Sequence, residues 1–288
     1  MQTIYASLLL ITMLIWAGSF IFIKIGLREL GPYNLAFYRF LLASPALILL
    51  TYFRDKLKSV DTRDLPAIII LALTGVTLLY VIQFLALVYT TATNASILIN
   101  TAVIFVAIIS FLCYNEKFTR LKSFGVILSF IGVIIIVSKG SIEFFTSRTF
   151  IGDVLMIFDG FLWAIYTVLG KKLLKRYHPE TLTAYVFLFG SIFLIPFAFY
   201  EGLANPLFFS TTTLISILYL SILCSVFAYV MWYTALSNME ATKVAVYIYM
   251  IPLFTAIMAY FVLGEVIDIY TAIGGFVTII GVYLTERY

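Results

Sequence analysis

The sequence predicts an all-α membrane protein with ten transmembrane helices in two inverted five-helix repeats. Three observations predict it. Of 288 residues, 63% are hydrophobic and 11% charged, with mean hydropathy +1.10, against roughly 25% charged in a soluble domain. No soluble fold could hide that much apolar surface, a disordered chain would not carry it, and a membrane β-barrel would alternate apolar with polar residues. At about 20 residues per span the chain has room for ten or eleven helices and short loops. Finally, the two halves match each other.

The spans fall at 4–26, 34–53, 66–88, 92–114, 121–138, 152–173, 181–200, 214–236, 241–263 and 269–285. Breaks between them include Gly31-Pro32, the charged stretch Arg54 to Asp64, and Tyr177-His178-Pro179-Glu180. The first apolar run is too long for a signal-peptide core and lacks a basic leader, so it reads as a span. With a cytoplasmic N-terminus, thirteen Lys and Arg lie on the inner side and four on the outer, with Arg39 inside a span. The positive-inside rule then places both termini in the cytoplasm of a cell-membrane protein. Cys113 and Cys224 lie in apolar runs and read as small core residues.

Shifted by 147, Trp16-Ala17 falls on Trp163-Ala164, Lys24 on Lys171, Pro32 on Pro179 and Phe40-Leu41 on Phe187-Leu188. Shifted by 149, Tyr80-Val81 falls on Tyr229-Val230, Ala92-Thr93 on Ala241-Thr242, Glu116 on Glu265 and Gly132-Val133 on Gly281-Val282. The units are residues 1–140 and 150–288. Five spans per unit, an odd number, invert the second copy across the membrane. Such repeats are typical of alternating-access transporters, with the solute site near the midplane. A duplicated membrane protein doing something else is the bland alternative.

Several motifs resemble the drug/metabolite transporter superfamily, in particular its EamA-type members. They are Trp16-Ala17-Gly18-Ser19 followed by Lys24, Arg39-Phe40, Ala86-Leu87, Ala235-Leu236, Glu116-Lys117-Phe118-Thr119, Gly264-Glu265, and the glycine pairs 125/132 and 274/281. The resemblance implies ten helices and export or exchange of small metabolites, often amino acids. The family's proline in span four is missing: Val103 stands where span nine has Pro252.

Polar residues without a counterpart in the other half are the site candidates. Arg39, opposite Val186, could bind a carboxylate or phosphate in bidentate fashion, or snorkel to a helix end. Asp159, opposite Thr12, could hold an ammonium or a proton, or make a polar contact near the outer vestibule. Trp16 and Trp163 sit mid-span, outside the aromatic belt, and could wall a cavity or pack the core. Tyr80 with Gln83, and Tyr229 with Trp232, share helix faces, as do Ser19 and Tyr166 with the central tryptophans. Asn100, opposite Tyr249, lies in the polar start of span four, where interhelical hydrogen bonding is the commoner role. Lys24/Lys171 and Glu116/Glu265 read as caps, topology signals or gate ion pairs. The glycine pairs read as close helix packing of spans five and ten, or a dimer contact.

Walker A, HExxH, CxxC and GxSxG motifs are absent, and no metal-spaced cluster or nucleic-acid patch occurs. The expectation is a non-enzymatic secondary transporter without cofactor, monomeric or homodimeric, partnered by the bilayer and a small solute, with proton coupling or none. A lipophilic-cation exporter is the alternative within transport; a membrane scaffold or sensor is the one outside it.

Overall fold

The computed structural model describes residues 2–54, 57–114, 120–139, 148–239, 244 and 246–287. Among them there is no strand. The helices are α1 (Gln2–Gly26), α2 (Pro32–Phe53), α3 (Thr62–Tyr89), α4 (Ala92–Leu98, then Thr101–Tyr114), α5 (Arg120–Ser138), α6 (Arg148–Leu173), α7 (Pro179–Glu201), α8 (Thr211–Asn238), α9 (a tight turn Val246–Tyr249, then Met250–Leu263) and α10 (Ile269–Arg287). Among the described residues six are long and apolar enough to cross a bilayer: α1, α2, α3, α6, α7 and α8. The apolar stretches of the other four are shorter. Phe53 and Phe261 are 77% and 78% exposed, a surface that lipid, not water, satisfies. Glu116-Lys117-Phe118-Thr119, Ala241-Thr242 and Lys243 lie outside the described residues.

Helix pairings recur with the halves exchanged. α1 packs on α8 and α9, while α6 packs on α3 and α4; α2 packs on α8, and α7 on α3. α2 with α7, α4 with α9 and α5 with α10 pair the two halves directly.

Both α3 and α8 widen into π-helical turns, at Leu73–Thr77 and Tyr219–Phe227. The 149-residue offset superimposes them. Such turns disturb the helical ladder and often mark functional positions. α4 breaks at Ile99–Asn100, and at the matching place α9 has the tight turn Val246–Tyr249 ahead of Met250–Leu263. Pro252 suits that turn, since it cannot donate to Ile248. α4 breaks without a proline. There Ser96 Oγ donates to Thr93 O (2.7 Å), Asn100 Nδ2 to Ser96 O (3.2 Å) and Thr101 Oγ1 to Leu98 O (2.8 Å). These bonds compete with the backbone ladder. Span four is therefore not the continuous helix expected from 92 to 114, and Val103 does not straighten it.

The glycine stripes are consumed within the chain. A Cβ on Gly132 would overlap Thr278 and the Gly274 carbonyl; one on Gly281 would overlap Ser129 and the Gly125 carbonyl. Ser129 Oγ donates to Thr278 O at 3.3 Å. α5 and α10 thus approach at backbone distance, and these faces are not free for a dimer contact.

Polar contacts close both ends of the bundle. At one end Arg54 meets Glu180 (2.5 Å), and Arg176 makes two bonds to Asp64, both 2.8 Å. At the other end Glu201 accepts from Asn34 N (2.7 Å), Glu29 accepts from Ser210 Oγ (2.6 Å) and Thr213, and Glu265 accepts from Ala92 N (2.9 Å) and Thr93 Oγ1 (2.9 Å). Lys171 donates to the carbonyls of Leu236 and Met239 at the end of α8. Glu265 and Lys171 therefore act as helix caps.

Candidate functional site

A central cavity encloses about 530 Å³ of atom-free space, part of it continuous with the surroundings. Six helices line it: Trp16, Ser19 and Phe20 from α1, Arg39 from α2, Leu79, Tyr80 and Gln83 from α3, Ile99 from α4, Asp159 and Trp163 from α6, and Ile248 and Ile251 from α9.

Arg39 is 1% exposed and does not snorkel. Its Nε donates to Ser225 Oγ (2.8 Å) and its Nη2 to Tyr80 OH (3.0 Å). The guanidinium lies 3.9 Å from the Tyr80 ring centroid, a cation–π contact strengthened by burial. Tyr80 OH is 2.7 Å from Tyr229 OH, and Tyr229 OH donates to Gly75 O (3.0 Å). A phenol has one proton, so the direction of the chain is fixed: Arg39 to Tyr80, Tyr80 to Tyr229, Tyr229 to the Gly75 carbonyl. That carbonyl belongs to the π turn of α3. Arg39 Nη1 has no partner.

Asp159 is completely buried. Gln83 Nε2 donates to its Oδ2 at 3.0 Å, while Oδ1 has no partner. Arg39 and Asp159 are not an ion pair. Each is held by its own residue of α3, and Tyr80 and Gln83 are one helical turn apart. The cavity therefore carries a buried guanidinium and a buried carboxyl group, each with one polar atom unmet, a costly arrangement unless something completes it.

The aromatic residues form one cluster. Trp16 and Trp163 meet edge to face at 5.4 Å, so they adjoin rather than face each other across the cavity. Trp232 packs on both, at 5.4 and 5.9 Å. Tyr229 and Tyr166 pack behind, and Tyr233 stacks on Tyr166 at 5.1 Å. Trp16 Nε1 donates to Cys224 O (3.0 Å), in the π turn of α8. Gly75 and Cys224 correspond under the 149 offset, so both π turns supply a carbonyl to the site's frame.

Of the residues singled out in the sequence, Trp16, Ser19, Arg39, Tyr80, Gln83, Asp159 and Trp163 line the cavity. Tyr166, Tyr229 and Trp232 support it from behind. Asn100 lies outside the lining and serves the break in α4. Sequence reasoning missed Ser225, the two carbonyls and the aliphatic wall. Ile99 and Ile248 of that wall correspond under the same offset, a signal present in the repeat. Among the described residues no group of three His, Cys, Asp or Glu is placed to hold a metal ion.

Membrane-length apolar helices around a central cavity lined by a buried arginine and a buried aspartate fit a polytopic membrane protein of the transporter class. The chain belongs to the EamA-like transporter family, whose model matches residues 3–138 and again 150–287. It is 62% identical over 278 residues to an "Uncharacterized transporter" of Archaeoglobus fulgidus, covering 96% of each chain. It is 27% identical over 281 residues to a "Probable terminal-alkyne amino-acid exporter" of Streptantibioticus cattleyicolor, covering 97% of this chain and 92% of that one. A protein of known crystal structure superimposes with a TM-score of 0.71 at 13% identity, over 98% of this chain and 96% of that one, a likeness of fold.

Proposed function

We propose that this transporter moves a small zwitterionic organic solute of the amino-acid type outward across the cell membrane, by alternating access between two inverted five-helix repeats. One observation carries the reading: Arg39 Nη1 and Asp159 Oδ1 are both buried and both unmet in one cavity. A carboxylate completes Arg39, and an ammonium completes Asp159. The two holders, one turn apart on α3, suit a solute whose charges are separated by a few bonds. Trp16, Trp163 and the aliphatic wall take the side chain. The exchanged helix pairings and the matched π turns support the inverted arrangement. The 13-to-4 distribution of Lys and Arg supports cytoplasmic termini.

The test is counterflow in proteoliposomes with labelled amino acids, nucleosides and quaternary amines. Accumulation of amino acids, lost in both Arg39→Met and Asp159→Asn, is the expected result. A second reading, a lipophilic-cation exporter, is favoured by the tryptophans beside Asp159. It predicts accumulation of quaternary amines, lost in Asp159→Asn but kept in Arg39→Met. Absence of flux for every solute offered, with folded protein, would sink both.

A further inference from the structure

A second carboxylate lies on α6, six residues before Asp159 and about 9 Å from it along the axis. Asp153 is completely buried and outside the solute cavity. Thr90 Oγ1, at the end of α3, donates to its Oδ1 at 2.5 Å. Its Oδ2 has no hydrogen bond. Asn94 of α4 lies beside it. The Asn94 carboxamide oxygen accepts from Thr271 Oγ1 of α10 at 3.0 Å, while its Nδ2 makes no hydrogen bond. The charged groups around the cluster are few. Lys139, after α5, acts on Asp153 from a distance but is paired with Asp268 at 3.6 Å. Asp268 accepts from Thr271 N (2.7 Å), and Glu265 is engaged with Ala92 and Thr93 of α4.

We propose that Asp153 is a proton-binding site, distinct from the solute cavity, whose occupation loosens the hold of α6 on the α3–α4 corner and so couples proton movement to opening of that end. Thr90 and Asn94 belong to the first half; Asp153 and Thr271 belong to the second. The carboxylate is thus one of the ties between the halves at the end that carries Glu265. An anion at this depth with a single hydrogen bond is costly, and a proton removes the charge. A proton on Oδ2 removes the charge that strengthens the bond from Thr90, and a proton on Oδ1 must turn the Thr90 hydroxyl around. Either change loosens the tie.

The proposal rests on the transport reading above, and the test separates the two. Proteoliposomes loaded with a pH-sensitive dye are given the solute identified by counterflow, with and without an imposed pH gradient. Wild-type protein should concentrate the solute with the gradient and move protons with it. Asp153→Asn should keep counterflow but lose gradient-driven accumulation by about tenfold, the size of an ordinary coupling. Accumulation surviving in Asp153→Asn overturns the proposal, as does wild-type counterflow indifferent to the gradient. Should the variant fail to fold, Thr90→Val, which keeps the acid, must shift the pH dependence of accumulation; an unchanged profile overturns the proposal. If no solute shows counterflow, the infrared carboxylic-acid band of purified protein is followed through a pH titration. A component absent from Asp153→Asn supports the site, and identical titrations in the two proteins overturn it.

Discussion

Arg39 and Asp159 share a cavity but not a bond: Tyr80 holds the guanidinium at 3.0 Å and Gln83 holds the carboxylate at 3.0 Å. One turn of α3 thus gives the guanidinium and the carboxyl group separate holders in place of each other. A direct ion pair would leave a zwitterion nothing to complete.

Tyr80→Phe tests the cation's holder. It removes the acceptor for Arg39 and the donor to Tyr229. A hydrogen bond to a charged group contributes about 1.5–3 kcal/mol, so apparent solute affinity in counterflow should weaken by roughly tenfold or more. Unchanged affinity would show that Arg39 keeps its place without Tyr80.

Gln83→Leu should strip Asp159 of its one hydrogen bond. Leaving a buried acceptor unmet costs about 1–3 kcal/mol, more for a charge. The expected result is a lower melting temperature in detergent, rescued by the double variant Gln83→Leu with Asp159→Leu. Failure of the second substitution to restore stability would place the cost elsewhere.

Gly132→Leu and Gly281→Leu should be the most destabilising glycine changes in α5 and α10. Each new side chain meets backbone of the facing helix, and overpacking costs typically about 1–3 kcal/mol or more. Thermal unfolding monitored by circular dichroism decides it. Gly264, at φ +69° with nothing within 4 Å of a Cβ, tolerates volume but not the left-handed backbone, so Gly264→Asn should cost less than Gly264→Val.

At the exposed end of α8, hydrogen bonds from Ser210 and then Thr213 hold Glu29 below the usual carboxylate range. A folded-state value below the unfolded one stabilises above the unfolded value. That stabilisation disappears as pH falls through the depressed value. Melting temperature should therefore decline on the acid side of about pH 4, and less steeply in Glu29→Gln. Parallel curves for the two proteins would remove Glu29 from the acid response.

The repeat was readable from Trp16/Trp163, Pro32/Pro179 and Glu116/Glu265 because a shared fold keeps the same residue types at the same register. Of the seven lining residues, Trp16, Trp163, Arg39 and Asp159 were legible for the opposite reason, since mid-span tryptophans and ionisable groups contradict the lipid around them, and Ser19, Tyr80 and Gln83 because they share helix faces with such residues or with each other. Asn100 shows the limit. A polar residue in a span signals a hydrogen bond, yet the bond satisfied here is a carbonyl of its own broken helix. Asp153 was passed over because it sits five residues inside α6, where a carboxylate could as easily face water.

The sequence by itself determined that the chain spans a membrane, that it is duplicated, and which side chains are too costly to face lipid. Composition, register and desolvation act along the chain and need no partner. Only the tertiary structure decided that Arg39 and Asp159 stay unpaired, that two π turns supply carbonyls to the frame of the site, and that the glycine stripes meet each other. Those depend on which faces of distant helices come together, set by packing across separations such as the 208 positions from Trp16 to Cys224, at which no local pattern carries information.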